Sequence, residues 1–182
     1  MNITPTPLQD LFIIEPRVFE DERGFFFESY SEQQLTKNGL PYNFIQDNHS
    51  KSAYGVLRGL HFQNAPYAQA KLVRVVEGSV LDVAVDLGMD SPTYLQHFSL
   101  ELSAENKKQL LIPRGFAHGF VVLTPTCEFL YKCDNVYDKA SEGGIAYNDP
   151  QLNIDWKIPA SAIILSDKDK HNPTLKDAYY SF

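Results

Sequence analysis

The stretch Ser79-Val80-Leu81-Asp82-Val83-Ala84-Val85-Asp86-Leu87 decides the fold class. Its apolar residues alternate instead of recurring every three or four positions. Leu81, Val83, Val85 and Leu87 fall on one face of an extended strand, and Val80, Asp82, Ala84 and Asp86 on the other. Outward from it, KLVRVV (71–76) precedes it, and HFSLEL (97–102), QLLIP (109–113), GFVVL (119–123) and EFLYKC (128–133) follow. Gly78, Pro92, Pro113 and the Thr124-Pro125 pair punctuate these runs at the spacing of hairpins and meanders. Helix signals are sparse: SEQQLTKNG opens on Ser31 with Gln34 three residues on, a capping-box pattern, and stops at Gly39. The segment after Trp156 predicts surface turns or a short helix packed back on the body. Many short strands with little helix make an all-β chain, an antiparallel sandwich or barrel. The jelly roll is the commonest such form that holds a small ligand inside.

The 182 residues, 43% hydrophobic and 13% aromatic, suffice to bury a core and predict one domain over residues 1–182. A formal net charge of -7 without any basic block excludes general nucleic-acid affinity, so an anionic ligand must meet locally placed cations. With two cysteines, Cys127 and Cys133, and an N-terminus lacking both a basic flank and a long apolar run, the chain reads as cytoplasmic. The sequons at Asn2 and Asn48 then carry no glycan. No run of about 18 apolar residues predicts a membrane span.

Several chemistries have no motif here. GxxxxGK, GxGxxG and GxSxG are absent, which argues against phosphate-loop, dinucleotide and nucleophile-elbow enzymes. The cysteines, on one strand run, read as buried side chains, not zinc ligands. Histidines at 49, 61, 97, 118 and 171 form no HxH or HxxxH pair, so no metal site is expected, a metal-dependent jelly-roll enzyme whose ligands converge only in space being the lesser alternative.

What remains is acid and base machinery. RGLHFQ (58–63) and GFAHGF (115–120) each set one histidine among glycines and aromatics beside strand runs. Lys71 shares a face with Val73 and Val75, as either a snorkelling edge residue or a pocket cation. Tyr131 shares a face with Phe129 and Cys133, as either a core aromatic or a proton donor. With an acidic pair at Asp167 and Asp169, these are the parts needed to move a proton next to a carbonyl.

The strings FEDERGFFFESY (19–30), IQDNHSKSAYGVLRGLHFQ (45–63), KLVRVVEGSVLDVAVDL (71–87), SPTY (91–94), IPRGFAHGFVVL (112–123), YNDPQLNIDW (147–156) and LSDKD (165–169) resemble the dTDP-4-dehydrorhamnose 3,5-epimerase family nearly end to end. The resemblance implies a cupin-type jelly roll, usually a homodimer, needing neither metal nor organic cofactor. It implies inversion at C3 and C5 of a dTDP-linked 4-keto-6-deoxyhexose on the route to dTDP-L-rhamnose; related enzymes act at C3 or C5 alone. Residue by residue, it makes His61 the base, Asp169 its partner, Tyr131 the proton donor on the other face of the sugar, and Lys71 the partner of the enolate oxygen. His118 would lie near the sugar. Arg23, Glu28, Gln46, Asn48, Arg58, Glu142 and Lys168 match positions that contact the nucleotide diphosphate or shape the pocket, part of it supplied by the neighbouring subunit. Phe62, where many relatives have tyrosine, and the LGMDSPTY segment depart from the pattern without touching the acid, base or cation.

The residue types suit that chemistry. A 4-keto group acidifies the hydrogens on both flanking carbons, so one base can serve two epimerisations if the sugar turns between them. Histidine, with a reference pKa of about 6.5, accepts a proton at neutral pH, and a phenol can return one. Arginines offer paired donors to phosphate oxygens.

Overall fold

The computed structural model describes all residues from Met1 to Phe182. The chain forms an antiparallel jelly-roll sandwich. One sheet has six strands in the order β1 (Asn2–Pro5), β2 (Phe12–Glu15), β10 (Gln109–Ile112), β7 (Lys71–Glu77), β12 (Thr126–Cys133) and β5 (Gln46–Ala53). The facing sheet has five, in the order β13 (Glu142–Gly144), β6 (Leu57–Gln63), β11 (Phe116–Val122), β8 (Ser79–Asp86) and β9 (His97–Ser103). A separate hairpin pairs β3 (Phe19–Asp21) with β4 (Gly24–Phe26).

The alternation in β8 has a more specific outcome than a wet face and a dry face, because every residue of Ser79–Asp86 is buried. Val80 and Ala84 pack between the sheets with Val73, Val75, Leu110, Phe120 and Phe129. Leu81, Val83 and Val85 point the other way, beneath Ile145, Leu152, Trp156 and Leu175. The C-terminal segment thus supplies a second apolar layer, each fully buried Leu or Val being worth about 1.5–3 kcal/mol. Consequently the face carrying Asp82, the more polar one in sequence, looks into the sandwich. Asp86 lies at the strand's end, where it accepts hydrogen bonds from Thr93 Oγ1 at 2.6 Å, the Gly88 N–H at 2.9 Å and Ser91 Oγ, and so shapes the SPTY loop.

The other strand expectations hold with small shifts in their ends. GFVVL belongs to a strand that starts earlier, at Phe116, and so includes His118. The edge strand β5 escapes the alternation criterion because only Ser52 of its eight residues is buried, and a polar edge resists unwanted pairing. The helix α1 (Glu32–Lys37) is capped as its sequence predicts: Ser31 Oγ accepts the Gln34 N–H at 3.3 Å, Leu35 is buried beneath it, and Gly39 follows at φ +79°. After Trp156 the chain makes two 3-10 turns, Ala160–Ala162 and Asp169–His171, and a parallel bridge between Val56 and Ile164. Both cysteines are free and buried. No helix is long and apolar enough to cross a membrane.

Candidate active site

Strand register sets the two histidines side by side. In the β6–β11 pair His61 lies directly opposite His118, so both project to the same face. Between His118 and Phe120 the register slips by one residue, which places Arg58 opposite Phe120. Arg58 and His61, three apart and nominally on opposite faces, therefore share the inner one. Glycines permit the slip: at Gly59, with φ +140°, a β-carbon would lie 2.5 Å from the Gly119 Cα.

His61 Nε2 is 2.5 Å from Asp169 Oδ1, and Asp169 is buried in the 3-10 turn of the C-terminal segment. Burial pushes the Asp169 carboxyl up, but hydrogen bonds from His61 and Ser166 outweigh it and hold the group below the usual aspartate range. With Nε2–H donated to the carboxylate, Nδ1 is the ring nitrogen left free to accept a proton. His118 repeats the arrangement deeper down. Its Nε2 is 2.9 and 3.0 Å from the two oxygens of Asp82, which has no exposed surface, and its ring stacks on Phe129 at 6.2 Å.

The opposite wall is built by the six-stranded sheet. Lys71 opens β7 directly across from Cys133, and Val73 lies across from Tyr131. Because Val73 and Val75 are core residues, Lys71 faces inward and is a pocket cation. It makes no ion pair, and burial holds its ammonium below the ordinary lysine range, against the opposing pull of Cys133, Asp82 and Glu142. Tyr131 packs against the core, and its hydroxyl has no hydrogen-bond partner in the protein. Burial, then the neighbouring Cys133, pushes that phenol up, while Arg58 pulls it down, so the group stays protonated at neutral pH.

These walls enclose a cleft of about 380 Å³ lined by Gln46, Asn48, His61, Lys71, Tyr131 and Glu142, with Phe62, Gln63, Gln69, Cys133 and Tyr137 completing it. Gln46 donates to Asn48 at 3.0 Å, Glu142 is ion-paired with Lys168, and the Arg58 guanidinium sits 3.2 Å from Ser52 Oγ. No group of three or more His, Cys, Asp or Glu side chains is arranged to hold a metal ion.

Of the residues expected from the sequence, Asp169 and Lys168 reach the cleft only through their partners His61 and Glu142, Arg58 and His118 do not line it, and Arg23 and Glu28 are not brought to it. Arg23 is exposed at the tip of the β3–β4 hairpin, paired with Asp21, on a separate groove of about 540 Å³. Glu28 is exposed just after the hairpin. Sequence reasoning missed Asp82, although a carboxylate inside an apolar strand is itself the signal of a buried partner. It also missed Ser166 and the cleft residues Gln69 and Tyr137.

The sequence and the fold both match known proteins. The family model described as dTDP-4-dehydrorhamnose 3,5-epimerase matches residues 5–177. The chain is 52% identical to the Shigella flexneri dTDP-4-dehydrorhamnose 3,5-epimerase, over 99% of each chain. The crystal structure of the Elizabethkingia anophelis enzyme of that name superposes with a TM-score of 0.93 at 58% identity, covering 97% of both chains. The Legionella pneumophila dTDP-6-deoxy-D-glucose-3,5-epimerase, solved with dTDP-4-keto-L-rhamnose, gives 0.92 at 47% identity, covering 97% of this chain and 93% of that one. The jelly roll with a histidine–aspartate pair facing a tyrosine and a lysine is thus a member of the dTDP-4-dehydrorhamnose 3,5-epimerase family.

Proposed function

We propose that this cleft converts dTDP-4-dehydro-6-deoxy-D-glucose to dTDP-4-dehydro-L-rhamnose by inverting C3 and C5, with His61 as base, Asp169 as its partner, Lys71 as the enolate's cation and Tyr131 as acid. The observation that carries this reading is that His61 and Tyr131 stand on opposite sheets, with Lys71, the one lysine or arginine lining the cleft, on the side of Tyr131 and free of an ion pair. A sugar held between the sheets loses a proton to His61 Nδ1 from one face. The electron pair moves onto the 4-keto oxygen, where the Lys71 ammonium is free to meet it. Tyr131 then delivers a proton to the other face, and the configuration inverts. Asp169 stabilises the imidazolium formed, as the carboxylate does in a catalytic triad. Every step is a proton transfer, so the reaction calls for neither metal nor redox cofactor.

The nucleotide would be held by Gln46, Asn48, Arg58, Glu142 and Lys168, with His118 near the sugar. Arg23 and Glu28, out of reach in their own chain, would complete the site of a second subunit. Exposed Phe19, Phe25 and Phe26 on the same hairpin support that reading, since such apolar surface is ordinarily covered. We therefore expect a homodimer of single-domain chains.

Proton NMR of dTDP-4-keto-6-deoxyglucose in deuterium oxide tests the assignment. Deuterium at both C3 and C5 is expected. Labelling at one carbon alone would make this a single-centre epimerase.

A further inference from the structure

We infer that Ser166 is a positioning residue for the base, the third member of a Ser166–Asp169–His61 relay. The inference rests on the role proposed for His61. Ser166 makes two bonds to the same residue: its hydroxyl donates to Asp169 Oδ2 at 2.7 Å and accepts the Asp169 N–H at 3.1 Å. The second bond is an ordinary turn cap, and the Ser166 carbonyl closes the same turn by accepting the Lys170 N–H at 3.1 Å. The first is not needed for capping. It occupies Oδ2 and leaves Oδ1 for His61 Nε2, so the carboxylate plane is fixed from both ends. Asn172 adds a long contact to Oδ1 at 3.5 Å and another to the Gly59 carbonyl at 3.4 Å, tying the turn to β6 at its register slip.

A hydroxyl on Oδ2 has a second effect. It draws negative charge away from Oδ1 and so moderates how strongly Asp169 favours the imidazolium. Removing it exposes the imidazole to a fuller negative charge, and activity then requires a higher pH to free the base. A serine that merely capped the turn would behave in the opposite sense. Its loss would let Asp169 swing away, and the imidazole would give up its proton at lower pH. The other charged groups around the pair are Lys168 on the same turn, Glu142 on β13, Lys71 on β7 and the His118–Asp82 pair on β11 and β8. None changes in the variants below.

The test compares Ser166→Ala, Ser166→Thr and His61→Asn using dTDP-4-keto-6-deoxyglucose. Ser166→Ala is expected to lower kcat about tenfold with KM little changed, since a hydrogen bond to a charged group is lost. The acid limb of its kcat/KM profile is expected to move to higher pH, and Ser166→Thr to restore both. An acid limb that stays put or moves to lower pH, or a threonine variant as impaired as alanine, overturns the relay. A His61→Asn protein with undiminished turnover overturns the base assignment itself, whatever Ser166 does.

Discussion

His61 and His118 stand directly opposite each other on adjacent strands, and each gives its Nε2 to a different buried carboxylate, Asp169 and Asp82. The two pairs differ in access. The His61 side chain keeps 29% of its surface exposed, His118 only 8%. One histidine can therefore meet a substrate with a free nitrogen, while the other is buried against Phe129.

The Asp169 carboxyl is held below the aspartate reference value of 3.8, so the folded chain binds fewer protons there than the unfolded chain does. Stability from this group is full above the unfolded value and is lost as pH falls through the folded one. Thermal melts of wild type and Asp169→Asn between pH 6 and about 3 should show the wild type's advantage shrinking as acid is added. A constant difference would mean that the carboxylate's charge is not what the pair stabilises.

With Lys71 in its proposed role as cation of the developing enolate, Lys71→Met, which keeps an unbranched chain one atom shorter and removes the charge, should lower kcat by about 100- to 1000-fold. KM should change far less. Steady-state kinetics check this, and a large rise in KM at constant kcat would make Lys71 a binding residue only.

Gly59→Ala places a β-carbon 2.5 Å from the Gly119 Cα at a φ of +140°. The neighbours are backbone and cannot step aside. A destabilisation of about 2–4 kcal/mol is expected by denaturant titration, with a fall in activity as His61 loses its register.

If the hairpin completes a partner's site, two defective proteins should complement each other. In dimers of His61→Asn with Arg23→Ala, one of the two sites recovers both an intact base and an intact arginine. Random remixing of equal amounts should therefore restore about one quarter of wild-type sites. Activity equal to the sum of the unmixed variants would place Arg23 outside the neighbouring site.

Much of the scaffold was legible because β-strands write themselves as alternation. The runs at 71–76, 79–87, 97–102, 109–113 and 128–133 are all strands, and Ser31 and Gly39 mark the ends of the helix. Illegible parts have physical reasons. The short N-terminal strands and β5 bury too little to alternate. The shared face of Arg58 and His61 depends on a register slip that periodicity alone would deny. Asp169 lies 108 residues from His61, and no local pattern joins them, so that pair came from the family resemblance and its geometry from the fold. Asp82 is visible in the sequence as a carboxylate in the middle of an apolar run, and only the position of β11 beside β8 shows what it holds.

The central claim is that proton removal and proton return belong to different residues on opposite walls. It is tested most directly by following deuterium uptake into dTDP-4-keto-6-deoxyglucose by NMR in deuterium oxide, with His61→Asn and Tyr131→Phe beside the wild type. His61→Asn should abolish both exchange and epimerisation. Tyr131→Phe should continue to exchange the sugar protons through His61 while losing the inverted product. Wild-type exchange in His61→Asn, or full inversion in Tyr131→Phe, would contradict the two-wall mechanism.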